Sequence, residues 1–287
     1  MDAFSKLHPA VILLYYSLSV FFIIFYGHPL VTGLAGSLAF VTYVSFAGIR
    51  KGCRRFLGSI GIFAACLVIN PLFNHRGVTL LFMLGDSRIT LEAVLYGGNM
   101  ALILLTSLFL FADFSHYMKS EKIMTLFGKR FPSFSLLFSM ILRFVPKAGR
   151  DYREMTELHG NKPSVWSSLI GLSLEDSLAR SLSMKGRGYG SGERSSYYGK
   201  SFVLRDMAVL FLTLIGGVQG VGFYLYGGVE ARFFPNIKLS EIPLWECMIL
   251  VLFYSIPLIM RGKEEMSWLL SRRKITGFSI RSRQSQH

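Results

Sequence analysis

Arg187 is the side chain in this sequence whose setting best suits specific chemistry. It follows the segment of residues 173–185 and stands between two glycines, Gly186 and Gly188. A guanidinium presents a planar fork of N–H donors, which can bind a carboxylate of a partner through two parallel hydrogen bonds. The alternative is a solvated charge at a helix end, close to carbonyl groups that attract a cation. From the residues alone, both interpretations of Arg187 stay open: a contact with a carboxylate of a partner, and a solvated charge at a helix end.

The segment before Arg187 is predicted to be an amphipathic helix. Ser173 and Asp176 match the capping pattern [ST]-x-x-[DE], which places a helix start near Leu174. Arg180 lies seven residues before Arg187 and shares a face with it. A separate apolar stripe is formed by Leu174, Leu178 and Leu182. Glycines at positions 186, 188, 190 and 192 are expected to end the helix, which places Arg187 where helix becomes loop.

Side chains that could catalyse a reaction or bind a metal do not form a recognisable set. The histidines are scattered over predicted loops and both membrane faces, at His8, His28, His75, His116, His159 and His287. No His-x-x-x-His or Cys-x-x-Cys spacing occurs, and the three cysteines suggest neither a disulfide framework nor a metal site. Glu92, interpreted as the only carboxylate near bilayer depth, fits a cap or interfacial role better than a proton relay. We expect no catalytic residue, no metal site and no cofactor bound by this chain.

Nucleotide-binding motifs are also missing from the sequence. There is no Gly-x-x-x-x-Gly-Lys-[Ser/Thr] segment, and the glycines from Gly186 to Gly192 do not follow a strand as a dinucleotide fold requires. We therefore expect that the chain is not an enzyme and hydrolyses no ATP itself. Any energy for active transport would have to come from another subunit.

The composition is that of a membrane protein. Of 287 residues, 52% are hydrophobic and only 17% are charged, unlike an ordinary soluble domain. A net charge of +14 would suggest nucleic acid as a partner of a soluble protein. Here, however, Lys and Arg cluster between apolar runs and at the C-terminus, as the positive-inside rule predicts. We expect an all-α, multi-spanning protein in the cell membrane, with no nucleic-acid partner.

The predicted organisation has four parts. Residues 1–112 form a membrane region with about four spans, and residues 201–262 add two more. Between them, residues 113–200 are rich in Lys and Arg and are predicted to be a cytoplasmic, partly interfacial region. Residues 263–287 form a basic cytoplasmic tail. The basic loop after the second span places both termini in the cytoplasm, and its cations are Arg50, Lys51, Arg54 and Arg55.

The middle region is predicted to hold several short elements. Residues 115–131 suit a helix at the membrane surface, and residues 134–145 are too short to cross the bilayer. Pro146 is predicted to open an amphipathic helix that ends at Leu158-His159-Gly160. Together with the helix before Arg187, this gives two amphipathic helices that lie antiparallel or crossing, each with a glycine at its end.

Gly216 and Gly220 form a small-xxx-small pattern within the fifth predicted span. Such spacing allows two helices to approach closely. The close approach could serve packing within the chain or an interface with a partner, and the first interpretation is the simpler one.

Several segments together resemble one known family. The stretch of residues 173–189 ends Met-Lys-Gly-Arg-Gly-Tyr and resembles the second signature of the T component of energy-coupling-factor (ECF) transporters, which usually ends Ala-Met-x-Ala-Arg-Gly-Tyr/Phe. Residues 7–9, 70–79, 120–124 and 142–146 also look like family segments. The resemblance covers nearly the whole chain and is weakest after about Gly227.

The resemblance implies a membrane scaffold for uptake of a vitamin or metal ion. In that family, the T component joins two cytoplasmic ATPases, which bind ATP and Mg²⁺, to a small substrate-binding membrane subunit, the S component. Two long cytoplasmic coupling helices each dock an Ala-Arg-Gly-like motif in a groove on one ATPase. Carried over, Gly186, Arg187 and Gly188 form the second docking motif. Arg180, on the same helix, is also expected to take part in ATPase docking.

The first docking motif departs from the family pattern, because Leu158-His159-Gly160 occupies its place. Histidine, with an ordinary pKa of about 6.5, is mostly neutral at neutral pH and offers no guanidinium fork. Either the matching ATPase has a compensating groove, or the two ATPases are different proteins. The asymmetry between His159 and Arg187 leads us to expect a heterodimeric ATPase pair.

Two other classes of function stay open from the residues alone. A membrane-embedded enzyme would lose activity when a polar residue inside a span is changed, such as Asn70, Asn99 or Glu92. A membrane anchor would recruit soluble partners but support no ATP-dependent uptake of a solute.

Overall fold

The computed structural model describes residues 4–74, 77–84, 87–128, 131–160, 163–192, 202–227, 231–234 and 237–284. In those residues the chain is dominated by helices, which follow in the order α1 Pro9–Tyr26, α2 Pro29–Ala47, α3 Ile49–Phe73, α4 Leu91–Tyr117, α5 Ser120–Gly128, α6 Pro132–His159, α7 Ser164–Gly186, α8 Leu204–Leu225 and α9 Leu244–Gln284. Two small antiparallel hairpins pair β1 Leu80–Leu84 with β2 Ser87–Thr90, and β3 Ala231–Arg232 with β4 Lys238–Leu239.

Six of these helices are long and apolar enough to cross a membrane. They are α1, α2, α3, α4, α8 and the Leu244–Lys263 part of α9. The expectation of a mainly helical protein with several helices that could cross a membrane is thus confirmed, whereas the two short hairpins show that the fold is not all-α. The fourth of them runs to Tyr117, five residues beyond the predicted end at position 112.

The chain divides into two compact units. The first consists of Met1–Lys119 and Phe202–His287 and includes all six of the long apolar helices. The second is Ser120–Ser201 and includes α5, α6 and α7.

Two His-Pro pairs begin the first two helices of the membrane unit. Pro9 and Pro29 stand at helix starts, where a missing backbone N–H costs nothing. The Nδ1 atom of His8 accepts a hydrogen bond from the Ala10 amide at 3.2 Å, and that of His28 accepts from the Leu30 amide at 3.3 Å. Between the two helices, Gly27 has a φ of +55° and ends α1 in the left-handed conformation. The sequence pattern therefore fixes this turn locally.

Aromatic residues of α1 and α9 form the centre of the membrane unit. The rings of Tyr15 and Phe253 stack with centroids 5.1 Å apart, and the Tyr15 hydroxyl donates to the Phe253 carbonyl at 3.2 Å. In return, the Tyr254 hydroxyl donates to the Ser19 carbonyl at 2.8 Å. These two hydrogen bonds join α1 to α9. Inside a bilayer no water competes for such bonds, so they hold the two helices together.

The small residues of α8 pack against other helices of the same chain. A Cβ atom on Gly216 would lie 2.9 Å from the Phe253 ring, and one on Gly220 would lie 2.7 Å from the Phe22 ring. Real Cβ atoms do not approach carbon atoms so closely, because interiors are packed to van der Waals contact. Gly216 and Gly220 therefore allow α8 to pack closely against α9 and α1 of the same chain.

In the second unit, α6 is longer than predicted. The sequence suggested an interfacial run over residues 134–145 and a new helix at Pro146, but α6 continues through Pro146 from Pro132 to His159. An internal proline loses one hydrogen bond and is disfavoured by about 3 kcal/mol. Contacts on both sides of it offset this cost, since Phe144 and Lys147 both pair with residues of α7.

The predicted start of α7 near Leu174 is also wrong. This helix begins at Ser164, and Ser173 lies in its interior. The Ser173 hydroxyl donates to the Leu169 carbonyl at 2.7 Å instead of capping a helix start. Serine can bond to the carbonyl four residues earlier within a helix, so a capping pattern alone does not define a boundary.

Candidate functional site: the paired helices and the end of α7

Two helices of the second unit lie side by side in opposite directions. The ring centroids of Tyr152 on α6 and Trp166 on α7 are 4.9 Å apart. Farther from the connection, the Lys147 ammonium donates a hydrogen bond to the Asp176 carboxylate. The Arg180 guanidinium lies 3.4 Å from the same carboxylate and 5.7 Å from the centroid of the Phe144 ring. Arg180 is thus engaged in the pairing of α6 with α7.

Asp176 is the charged centre of this pairing, because it contacts both Lys147 and Arg180. The hydrogen bond from Lys147 lowers the pKa of Asp176, and the positive charges of Lys147 and Arg180 act in the same direction. Because the folded-state pKa lies below the unfolded value of about 3.9, the carboxylate stabilises the pair above that pH. The stabilisation is lost as the pH falls through the folded-state pKa.

Asp176→Asn is therefore expected to remove this pH dependence. In the wild-type chain, amide hydrogen exchange over residues 144–152 and 173–181 should be slower at pH 6 than at pH 3, after correction for intrinsic rates. The variant should show the faster, acid-like exchange at both pH values. The neighbouring exposed carboxylate supplies a matched control, Glu175→Gln, which should behave as wild type. If Asp176→Asn keeps the wild-type difference, the carboxylate does not hold the helices together.

The end of α7 confirms the predicted role of its glycines. The helix ends at Gly186, and Gly188 follows with a φ of +80°. The Tyr189 amide donates to the Met184 carbonyl and the Gly188 amide to the Lys185 carbonyl, both at 3.0 Å. These two bonds define a Schellman motif, in which a left-handed glycine satisfies the last carbonyl groups of a helix. The backbone around Arg187 is thus fixed.

Arg187 stands on this fixed backbone with its side chain exposed. Its amide donates to the carbonyls of Ser183 and Met184 at 3.2 and 3.1 Å. Within the described ranges, no hydrogen bond or ion pair engages its guanidinium. A five-donor group on a rigid, exposed helix end is suited to bind a carboxylate of another molecule.

The first motif, Leu158-His159-Gly160, resembles the second only in having a glycine with positive φ at the end of its helix. The helix α6 ends at His159, and Gly160 follows with a φ of +71°. Leu158 is 80% exposed. The side chain of His159 lies outside the described part of the structure. Both α6 and α7 therefore end next to a glycine in a conformation that other residues rarely adopt.

A groove of about 620 Å³ lies between α6 and α7, next to the second motif. Its α6 side is mainly apolar and its α7 side is mixed, and the lining includes Leu137, Met140, Phe144, Arg180, Met184 and Tyr189. The predicted leucine stripe does not line it. Leu174, Leu178 and Leu182 are instead 62%, 68% and 69% exposed. This face of α7 is an apolar surface that the described residues leave exposed.

Sequence reasoning missed several buried carboxylates in the long apolar helices. Asp113, Asp206 and Glu246 are all at most 1% exposed, and each lies in a helix that is long and apolar enough to cross a membrane, as Glu92 does. Asp206 accepts from the Val203 amide at 3.2 Å, and Glu246 accepts from the Tyr26 hydroxyl at 3.4 Å. Asp113 was assigned to the cytoplasmic region because the predicted span stopped one residue earlier. Asp206 and Glu246 carried a local signal, since each is an acidic residue in the first turn of its helix.

Glu92 itself lies beside the hairpin of β1 and β2. Its carboxylate accepts a hydrogen bond from the Thr79 amide at 3.1 Å, which joins the start of α4 to the loop before β1. The Thr90 hydroxyl accepts from the Ala93 amide at 3.4 Å and caps the same helix. The contacts of Glu92 are those of a structural group at a helix start.

Among the side chains that the structure describes, no three His, Cys, Asp or Glu residues lie close enough together to hold a metal ion.

No model of a known protein family matches this chain, and neither does any curated protein. The fold and the site define the class as a helical membrane protein with six long apolar helices and a separate unit of paired helices. A more specific function depends on the residues of the chain itself.

Proposed function

We propose that this chain is the membrane scaffold, or T component, of an ECF-type transporter, in which α6 and α7 are the cytoplasmic coupling helices. The observation that carries the proposal is the exposed Arg187 on the Schellman-capped end of α7. Its setting, Gly186-Arg187-Gly188-Tyr189, is also the part of the sequence that most resembles the family signature. A groove on an ATPase that presents a carboxylate would accept two parallel hydrogen bonds from its guanidinium.

The paired helices give this docking point a mechanical use. When two ATPases close on ATP, a force on Arg187 acts on a helix end whose last carbonyls are already bonded. The contacts of Asp176 with Lys147 and of Arg180 with Phe144 would pass that force to α6, so that the pair moves as one body. Movement of the pair would tip the S component and release its vitamin or metal ion inward. The exposed leucine stripe of α7 supports such an apolar partner.

In this proposal the chain itself catalyses nothing. ATP and Mg²⁺ belong to the partner ATPases, and the substrate belongs to the S component. The basic segments on either side of the long apolar helices support a cell-membrane location with both termini in the cytoplasm. His159 in the first motif favours two different ATPases, each fitted to its own coupling helix.

Purification of the tagged full-length chain from its native membrane tests the proposal. We expect mass spectrometry to find two different ABC-type ATPases and one small membrane protein in the same complex. Vesicles containing this complex should accumulate solute only when ATP is supplied on the ATPase side. Recovery of ATPases without uptake would favour a simple membrane anchor, and two copies of one ATPase with normal uptake would exclude the heterodimer. Recovery without any ATPase would overturn the scaffold.

A further inference from the structure

A second groove lies within the membrane unit, between α3 and α4. Its volume is about 260 Å³, and its lining is formed by Arg55, Gly58, Ser59, Ile62, Leu108 and Phe109. The Ser59 hydroxyl donates to the Phe56 carbonyl at 2.7 Å, so it needs no further acceptor. Both helices are among those that could cross a membrane. The inner part of this groove is therefore an apolar slot along a lipid-facing pair of helices.

One end of the slot is strongly basic. Arg50, Lys51 and Arg54 are exposed in the first two turns of α3, and Arg55 lines the slot itself. The whole of α3, Ile49–Phe73, contains no Asp or Glu. The Arg55 guanidinium donates to the Tyr43 hydroxyl at 3.1 Å and lies 5.1 Å from the centroid of that ring. This contact fixes Arg55 at the mouth of the slot.

These cations do not stabilise the helix that carries them. A helix start has a partial positive charge, so nearby cations are unfavourable there and anions are favourable. Gly48 precedes α3 and supplies no side-chain cap. The buried carboxylate of Asp113 interacts electrostatically with Arg55 and compensates part of one charge. Most of the positive charge is left for a ligand outside the chain.

We propose that the slot and the basic end of α3 form a binding site for an anionic phospholipid. One acyl chain lies along Gly58 and Ile62, and the phosphate binds Arg54 and Arg55. Basic pockets between transmembrane helices are suited to anionic head groups, and each cation near a membrane surface contributes about 1 kcal/mol. The slot is smaller than the roughly 300–1,000 Å³ typical of small-molecule pockets, so it holds part of one acyl chain while the rest of the lipid stays in the bilayer.

Two glycines of α3 allow a matched test of the acyl-chain part. A Cβ atom on Gly58 or on Gly61 would meet no atom within 4 Å, so leucine fits at either position, but only Gly58 lines the slot. The full-length chain in mild detergent is titrated with phosphatidylglycerol or phosphatidylcholine and followed by native mass spectrometry. We expect the wild-type chain and Gly61→Leu to retain one phosphatidylglycerol selectively. Gly58→Leu should retain it no better than phosphatidylcholine, with an unchanged melting temperature.

The head-group part is tested by neutralising one cation. Arg54→Gln should weaken phosphatidylglycerol retention about fivefold, the equivalent of ~1 kcal/mol. The exposed Arg205 at the start of α8 provides the control Arg205→Gln, which should have no effect. Equal retention of the two lipids by the wild-type chain would overturn the proposal, as would wild-type retention by Gly58→Leu. Loss of a co-purifying membrane protein from Gly58→Leu, with lipid retention unchanged, would show that a protein occupies the slot instead.

Discussion

Arg187→Glu is expected to abolish recovery of the cytoplasmic ATPases with the purified membrane complex. The variant replaces a guanidinium with a carboxylate at the place where a carboxylate of the ATPase would be bound. Loss of one partner from a buried, hydrogen-bonded charge pair costs about 2–5 kcal/mol, and charge reversal adds repulsion. The measurement is the ratio of ATPase to membrane chain after affinity purification. Membrane insertion and the melting temperature should be unchanged, because Arg187 is exposed and follows the last helical residue.

Two further variants separate docking from a general effect of charge. Arg150→Glu makes the same change at an exposed position of α6 and should leave ATPase recovery at the wild-type level. Arg187→Lys keeps the charge but removes the planar fork, so recovery should fall between those of the wild type and Arg187→Glu. Normal ATPase recovery with Arg187→Glu would mean that Arg187 is only a solvated charge at a helix end.

Gly220→Ile is expected to destabilise the membrane unit severely. The position of a Cβ atom on Gly220 is 2.7 Å from the Phe22 ring, and the Gly220 carbonyl accepts a hydrogen bond from the Tyr26 hydroxyl at 2.8 Å. Overpacking of a filled interior typically costs 1–3 kcal/mol, and separation of α1 from α8 would also break this hydrogen bond. The measurement is thermal unfolding of the full-length chain in detergent, where the variant should melt well below wild type.

Gly222→Ile is the matched control for this substitution. Gly222 lies in the same helix, but a Cβ atom there would meet no atom within 4 Å. Both variants replace glycine with the same β-branched residue, so any difference between them measures packing rather than helix propensity. Equal melting temperatures for the two variants would contradict the close approach of α8 to α1.

The sequence by itself determined the features that depend on local chemistry. The apolar runs predict long helices because only 17% of the residues are charged and these are grouped between the runs. The glycines after Lys185 predict the end of α7, and the structure shows the Schellman bonds that explain it. Each of these signals acts over a few residues, so the sequence pattern was sufficient to predict the long apolar helices and the end of α7.

The candidate site could be predicted only in part. Arg187 was identified from its glycine neighbours, whereas the contacts of Arg180 with Asp176 and Phe144 were not foreseen. The spacing of Arg180 and Arg187 on one helix suggested a shared role in docking. A helical repeat shows which residues share a face, but it does not show which face meets another helix.

Tertiary structure alone decided which helices continue and which polar groups are buried. Pro146 and Ser173 both look like helix starts in the sequence, yet packing of α6 against α7 carries each helix through them. Asp113 was predicted to begin the cytoplasmic region but is buried in α4. The physical reason is the same in each case: a local preference of at most a few kcal/mol is outweighed by contacts between residues far apart in the chain. Only the folded structure brings those residues together.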